Sequence, residues 1–314
     1  MTSLTFSDAT PAPLRAFAKL TAAATLFLIF AGAMVTSTSS GLAVPDWPLS
    51  YGMFFPPMVG GIFYEHGHRM IAGTVGILTL IQALLLQRFE PKHFVRRLGW
   101  ISLASVLCQA ILGGLTVKLL LPPAVSISHA ALAEIFLCLN VAVAFYTSAF
   151  FLRLREDRVE PSRDLSGAIV ICVYLQILIG ATMRHLGAGL AIPDFPTSLG
   201  RWIPQFTSFG VTVNYLHRMW GMATALLIVA NLLLLLRGRQ SVLSRQTMLL
   251  AGVVVLQITL GAYTVWTGKH PIVTSLHVVT GALTLATSLI VALTARVVRH
   301  TAAVPALRLV KEAA

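Results

Sequence analysis

A chain of 314 residues that is 56% hydrophobic and only 11% charged is too apolar for an ordinary soluble domain, in which roughly a quarter of residues carry charge. Its net charge of +12 is gathered in short segments between apolar runs, at Arg15 and Lys19, Arg88 to Arg97, Arg153 to Arg163, Arg237 to Arg245 and Arg296 to Lys311. That is the positive-inside pattern of a membrane protein, so the charge speaks for topology and against a nucleic-acid partner.

In chain order, residues 1–14 read as a short polar cytoplasmic segment, without the basic region and small-residue cleavage site of a signal peptide. Apolar runs then predict eight membrane helices at about 15–36, 65–87, 98–118, 126–151, 165–185, 212–236, 246–266 and 272–295. About 20 helical residues cross a bilayer core, and lipid offers no partner to an unpaired amide, so each run must be a helix. The fold class is therefore all-α: a polytopic membrane protein made of two pseudo-symmetric four-helix bundles, 15–152 and 165–296. A linker at 153–164 and a tail at 297–314 fall on the cytoplasmic side with the amino terminus. The long connections 37–64 and 186–211 fall outside, and their Pro, Gly and aromatic content suits ordered loops that cap a site. Cys108, Cys138 and Cys172 all lie in apolar runs, with no disulfide or metal-ligand spacing.

The division into halves rests on an internal repeat. "GLAVPDWPLSYG" from Gly41 recurs as "GLAIPDFPTSLG" from Gly189, and the same shift of 148 residues carries Gln109 onto Gln257 and His129 onto His277. A shift of 149 residues carries "HRM" at His68 onto "HRM" at His217. Four helices per half is an even number, so both halves enter the membrane in one direction, related by an axis along its normal.

Each half thus has two histidines near the outer end of different helices: His68 with His129, and His217 with His277. Two imidazoles facing each other across a bundle can ligate one heme iron from opposite sides. Zinc would want about four protein ligands, and no Cys or carboxylate recurs beside the pairs. Copper, or a merely interfacial role for the histidines, stays open at this level. His66, His93, His185, His270 and His300 have no repeat partner and read as interfacial or loop residues. Arg69 and Arg218 follow the first histidine of each pair and could meet a heme propionate or extend to the headgroups.

The halves differ at one telling place. Glu65 lies three residues before His68 and shares its helix face, whereas Asn214 stands at the corresponding position of the second half. A carboxylate in a low-dielectric pocket has a tunable proton affinity and can act as a base or stabilise positive charge. The competing reading is an anion favoured simply because it lies near a helix amino terminus. Asp46 and Asp194, in "PDWP" and "PDFP", read as loop-shaping residues, with Trp47 and Phe195 packing over the site or anchoring in the interface.

"GLAVPDWP", "EHGHRM", "LCQAILGGLTV", "ISHAALA", "GLAIPDFP", "YLHRMWG", "LQITLGAYTV" and "SLHVVTGAL" together resemble the heme A synthase family, over nearly the whole chain outside its termini. The resemblance implies a bacterial inner-membrane enzyme that oxidises a methyl group of heme O to the formyl group of heme A for terminal oxidase assembly. It implies that His217 and His277 hold a resident heme b, that His68 and His129 hold the heme O substrate, and that Glu65 is catalytic. It also implies an electron acceptor, unidentified here, and a heme O synthase as neighbour; the oligomeric state, a homo-oligomer included, stays open. Two departures stand out. Val44 and Ser50 lie near the places where many relatives carry an outer-loop cysteine pair, so no thiol step belongs to this loop. Thr36 lies where other members carry an arginine, while Arg184 stands at the equivalent place of the second half. The alternative function is a non-enzymatic di-heme cytochrome; Glu65 without a counterpart argues against it.

Overall fold

The computed structural model describes residues 10–156, 164–239 and 241–312, and the only strand-like features among them are two isolated bridges. Residues 1–9 of the expected amino-terminal segment, 157–163 of the linker and 313–314 of the tail lie outside the described residues. The helices are α1 (Ala12–Ser37), α2 (Gly60–Phe89), α3 (His93–Lys118), α4 (Pro123–Thr147), the short α5 (Ala149–Glu156), α6 (Ser166–His185), α7 (Phe209–Arg237), α8 (Ser241–Trp266) and α9 (Pro271–Glu312). All but α5 are long and apolar enough to cross a membrane, giving the eight expected spans.

Local chemistry sets where these helices start and stop. Pro123 and Pro271 open α4 and α9 in repeat register; proline fits a first helical turn because the amide it lacks would be unpaired there. Ser208 caps α7 by accepting from the Val211 amide at 3.2 Å. The fourth span is shorter than 126–151: Ser148 takes an extended conformation, its hydroxyl donating to Phe145 O at 2.6 Å and accepting from Phe151 N at 3.1 Å. A serine that satisfies the backbone on both sides ends one helix and starts the next. The last helix runs past the expected 272–295 into the segment read as a tail.

Two rings of four helices result. α1 packs on α2, α2 on α3, α3 on α4 and α4 back on α1; α6, α7, α8 and α9 repeat the circuit. The halves meet where α1 lies on α9, α4 on α6 and α4 on α9. Exchanging α1 with α6 and α4 with α9 leaves that set unchanged, as a two-fold axis along the membrane normal requires. α4 and α9 line the axis, with 44% and 61% of their apolar windows buried against 11% for α8. Ala282 and Ala286 of α9 pack there against Leu137 and Val141 of α4, with Ala22, Leu26 and Ile29 of α1 alongside. Without a hydrophobic drive between helices in lipid, small side chains that admit close backbones supply the packing.

Candidate functional site

The two long connections fold as matching loops over the same end of the bundles. In the first, Asp46 accepts the amides of Tyr51 and Gly52 at 2.7 and 2.8 Å; in the second, Asp194 accepts those of Leu199 and Gly200 at 2.7 and 2.9 Å. Each carboxylate thereby closes a turn containing two residues of positive φ, as the loop-shaping reading expected. The Gly52 amide, foremost, holds the Asp46 carboxyl below the usual range. Partial burial pushes Asp194 upward, but the Thr197 hydroxyl and the Gly200 and Leu199 amides outweigh it and hold it at about 2.

Arg69 and Arg218 anchor these loops to the bundles. Arg69 Nη1 donates to Asp46 O and Leu49 O at 2.7 and 2.8 Å; Arg218 Nη1 donates to Asp194 O and Thr197 O at 2.8 and 2.9 Å, and its Nη2 to Ile192 O at 2.9 Å. These donors go to loop carbonyls rather than being left for a propionate, a use that sequence position could not reveal.

Below the loops lie the four histidines. His68 and His217 are each the ninth residue of α2 and α7, and His129 and His277 the seventh of α4 and α9. At 1.5 Å per residue all four therefore sit about 9–12 Å inside their helix starts, at one depth. His217 and His277 face each other with ring centroids 6.4 Å apart and planes at 77°. Two imidazoles sharing one metal through bonds of about 2.0–2.1 Å, the zinc–imidazole length, have ring centres about 6 Å apart. His68 and His129 lie within electrostatic reach of each other.

Each ring rests on a glycine of the neighbouring helix. A Cβ at Gly32, Gly113, Gly180 or Gly261 would stand 3.0, 3.2, 2.8 or 3.0 Å from Cε1 of His68, His129, His217 or His277. Gly32 and Gly180, like Gly113 and Gly261, are 148 residues apart, so these seats belong to the repeat. Sequence reasoning missed them, although the register would have exposed them.

The ring nitrogens are held unequally. His277 Nδ1 lies 3.1 Å from Gln257 O, and His217 Nδ1 lies 3.1 Å from Gln176 Nε2, which also donates to His217 O at 2.9 Å. Turned over, the same amide would offer its unpartnered Oε1 to a protonated Nδ1 and leave Nε2 free for a metal. In the first half His68 Nδ1 is buried without a hydrogen bond, and Leu28 stands where Gln176 would recur, whereas His129 faces the Gln109 backbone as His277 faces that of Gln257.

Glu65 is buried, 3% exposed, and doubly engaged: Oε1 pairs with Arg69 Nη2 at 2.6 Å and Oε2 accepts the Val44 amide at 2.8 Å. Asn214 does the equivalent work in the second half, giving Nδ2 to Ala188 O at 3.0 Å and taking Arg218 Nε at 3.0 Å. Both side chains latch the loop, and only Glu65 brings charge. His66 was expected to be interfacial; it is buried, 6% exposed, with Nδ1 2.8 Å from Ser50 Oγ. Helix α2 begins at Gly60, five residues before the expected start, which carries Glu65 and His66 inside the fold. Glu134 escaped notice altogether: it lies on α4, 4% exposed, and its Oε2 has no partner.

No group of three or more His, Cys, Asp or Glu side chains converges among the described residues. The donor set is therefore two imidazoles per bundle on glycine seats, facing each other in the second bundle, which suits a metal whose other ligands come from a planar macrocycle. Fold and site together define a duplicated, eight-span membrane protein with one imidazole pair in each bundle. A family model described as cytochrome oxidase assembly protein matches residues 59–289, and the chain belongs to that family. Curated relatives include proteins named heme A synthase. That of Symbiobacterium thermophilum is 30% identical over 229 residues, 70% of this chain and 74% of the relative. That of Halalkalibacterium halodurans is 28% identical over 71% of this chain and 76% of its own length, and that of Geobacillus kaustophilus 27% over 81% and 82%.

Proposed function

We propose that this chain is a heme A synthase, an oxidoreductase that converts a methyl group of heme O to a formyl group. The carrying observation is the asymmetry between otherwise matching sites. Glu65 puts a carboxylate beside the His68 and His129 pair, and Asn214 puts a neutral amide beside His217 and His277. A duplicated electron carrier has no need of that difference.

His217 and His277, with Nδ1 atoms facing Gln176 and Gln257, suit a resident heme b. Hydrogen-bond partners of the nitrogen that faces away from a metal orient the imidazole and strengthen it as a ligand. When bound, the group supplies a one-electron centre close to the other bundle. His68, whose Nδ1 is unpartnered, and His129 suit a porphyrin that arrives as heme O and leaves as heme A. Glu65 is assigned to the proton released from the substrate's methyl carbon, or to the positive charge developing there. Arg69 balances that carboxylate and ties it to the loop. The basic residues at the far ends of α2, α3 and α7 support cytoplasmic termini, with both pairs at the outer face. A heme O-producing enzyme is the expected neighbour, because the substrate is itself hydrophobic.

The test expresses the full chain with a heme O source and identifies extracted hemes by chromatography and mass. Wild type yields heme A. Glu65→Gln is the informative variant, since Asn214 shows that an amide at this place still latches its loop. It should retain porphyrin and give at least tenfold less formyl product, a loss of about 1.4 kcal/mol or more in transition-state stabilisation. Equal yields would remove Glu65 from the chemistry; no heme A from wild type would leave the cytochrome reading.

A further inference from the structure

Arg184 stands in the last turn of α6, half-buried at the seam between the bundles. Its Nη2 donates to Ala33 O and to Ser37 Oγ of α1, both at 2.8 Å, and Ser37 Oγ lies 2.9 Å from Ser275 Oγ of α9. Ala33 follows Gly32, the seat of His68, and Ser275 precedes His277 by two residues. One guanidinium, through Ser37, thus ties the turn that follows the His68 seat to the helix start that carries His277.

Among the described residues that cation has no counter-anion. The ion pairs among the described residues are Glu65 with Arg69 and Glu90 with Lys92, and no carboxylate there meets Arg184. Neutral oxygens occupy Nη2, while Nε and Nη1 make no hydrogen bond among the described residues. Charge inside a membrane helix is costly unless paired, and such groups mark places where a ligand completes the pairing. Thr36 takes the equivalent place in the first half, so the cation is not duplicated by the repeat. Arg69 and Arg218, by contrast, give their Nη donors to loop carbonyls and, for Arg69, to Glu65.

Building on the proposed heme-binding role of the histidines, we infer that Arg184 is a carboxylate-binding residue that grips a propionate of the porphyrin held between His217 and His277. A planar guanidinium with free Nε and Nη1 presents the two-pronged donor geometry that a carboxylate accepts. Arg184 stands one helical turn after Gly180, the seat of His217, and reaches through Ser37 to Ser275 two residues before His277, which favours the resident porphyrin over the substrate as the source of the carboxylate.

The experiment titrates full-length protein, produced without heme, with protoheme and with its dimethyl ester, reading the low-spin optical band. Wild type should bind the diacid about tenfold or more tightly than the diester, the scale of one charge-assisted contact. Arg184→Gln should bind both alike, and Arg184→Lys should keep part of the preference. Repeating the titration in the His68→Ala, His129→Ala double variant and in the His217→Ala, His277→Ala double variant identifies the source. The preference should persist in the first and vanish in the second. Equal affinities for diacid and diester in wild type overturn the assignment without any variant. So does a preference that survives in Arg184→Gln, or one that follows His68 and His129. A wild type with no low-spin band for either porphyrin would instead refute the heme-binding reading, and this inference with it.

Discussion

At Gly180 a hydrogen is all that separates the α6 backbone from the His217 ring, since a Cβ there would stand 2.8 Å from Cε1. The atom it would strike is the far end of a side chain, so the ring can move aside at little cost to the fold. Gly180→Ala should therefore leave thermal stability nearly unchanged but weaken heme binding about tenfold, because small ligand displacements matter on the scale of 0.5 Å. Optical titration checks this against Gly252→Ala, whose Cβ would meet nothing within 4 Å. Unchanged affinity in Gly180→Ala would mean that the seat does not position the ligand. The four histidines and Glu65 were legible in the sequence because a repeat separates shared residues from unshared ones. The seat glycines recur in the same register, but the repeat does not say what each one faces, since a glycine in an apolar helix looks the same whether it meets lipid, a helix or an imidazole. His66 and Glu134 were missed for another reason. Burial depends on which helix face meets a neighbour, and Glu134 has no counterpart to draw attention to it, Ala282 standing 148 residues on.

At the scale of elements, spans were readable to within a few residues and their ends were not. The extra turn of α2, from Gly60 to Tyr64, is itself apolar, but it opens on two glycines and is cut off from the main run by Glu65, His66, His68 and Arg69, so hydropathy does not join it to the helix. The end of α4 is set by the Ser148 hydroxyl, a local hydrogen-bond choice inside a run that remains apolar. The outer loops were legible as ordered, and their Asp-centred turns carry a pH signature. Asp194 titrates in the folded state at about 2, against an ordinary value of 3.8. A lowered carboxyl stabilises the fold fully above the ordinary value and loses that contribution as pH falls through the folded one. Wild type should thus be more stable than Asp194→Asn above about pH 4, and the difference should shrink towards pH 2. Thermal unfolding in detergent across that range checks it; a difference constant with pH would show that Asp194 does not act through its charge.

For the whole molecule, the repeat foretold two bundles and a shared direction, but not which helices meet between them. α8 and α9 have nearly equal hydropathy, 1.9 and 2.0, yet 11% of one window is buried and 61% of the other. Lipid and protein interior are similarly apolar, so hydropathy cannot tell a lipid-facing helix from a central one. The small residues of α9 were the available clue. Ala282 is fully buried against α4, and Ala282→Leu should force the halves apart there, at a cost of about 1–3 kcal/mol seen in thermal unfolding. The same change at Ala251 of α8, which is only partly buried, should cost clearly less; equal losses would contradict the seam.

α9 is also the last of the eight spans to leave the ribosome, although it touches α1, α4, α6 and α8. Until it inserts, the seven earlier spans have an open groove along the seam and the second bundle lacks a wall: α1 and α4 have no α9 to lie on, and α7 presents His217 without its partner His277. Completion of the seam and of the second imidazole pair therefore waits for α9. A nascent chain halted before Pro271 would be membrane-inserted yet unable to close either the seam or the second imidazole pair, a form that membrane quality-control proteases should recognise.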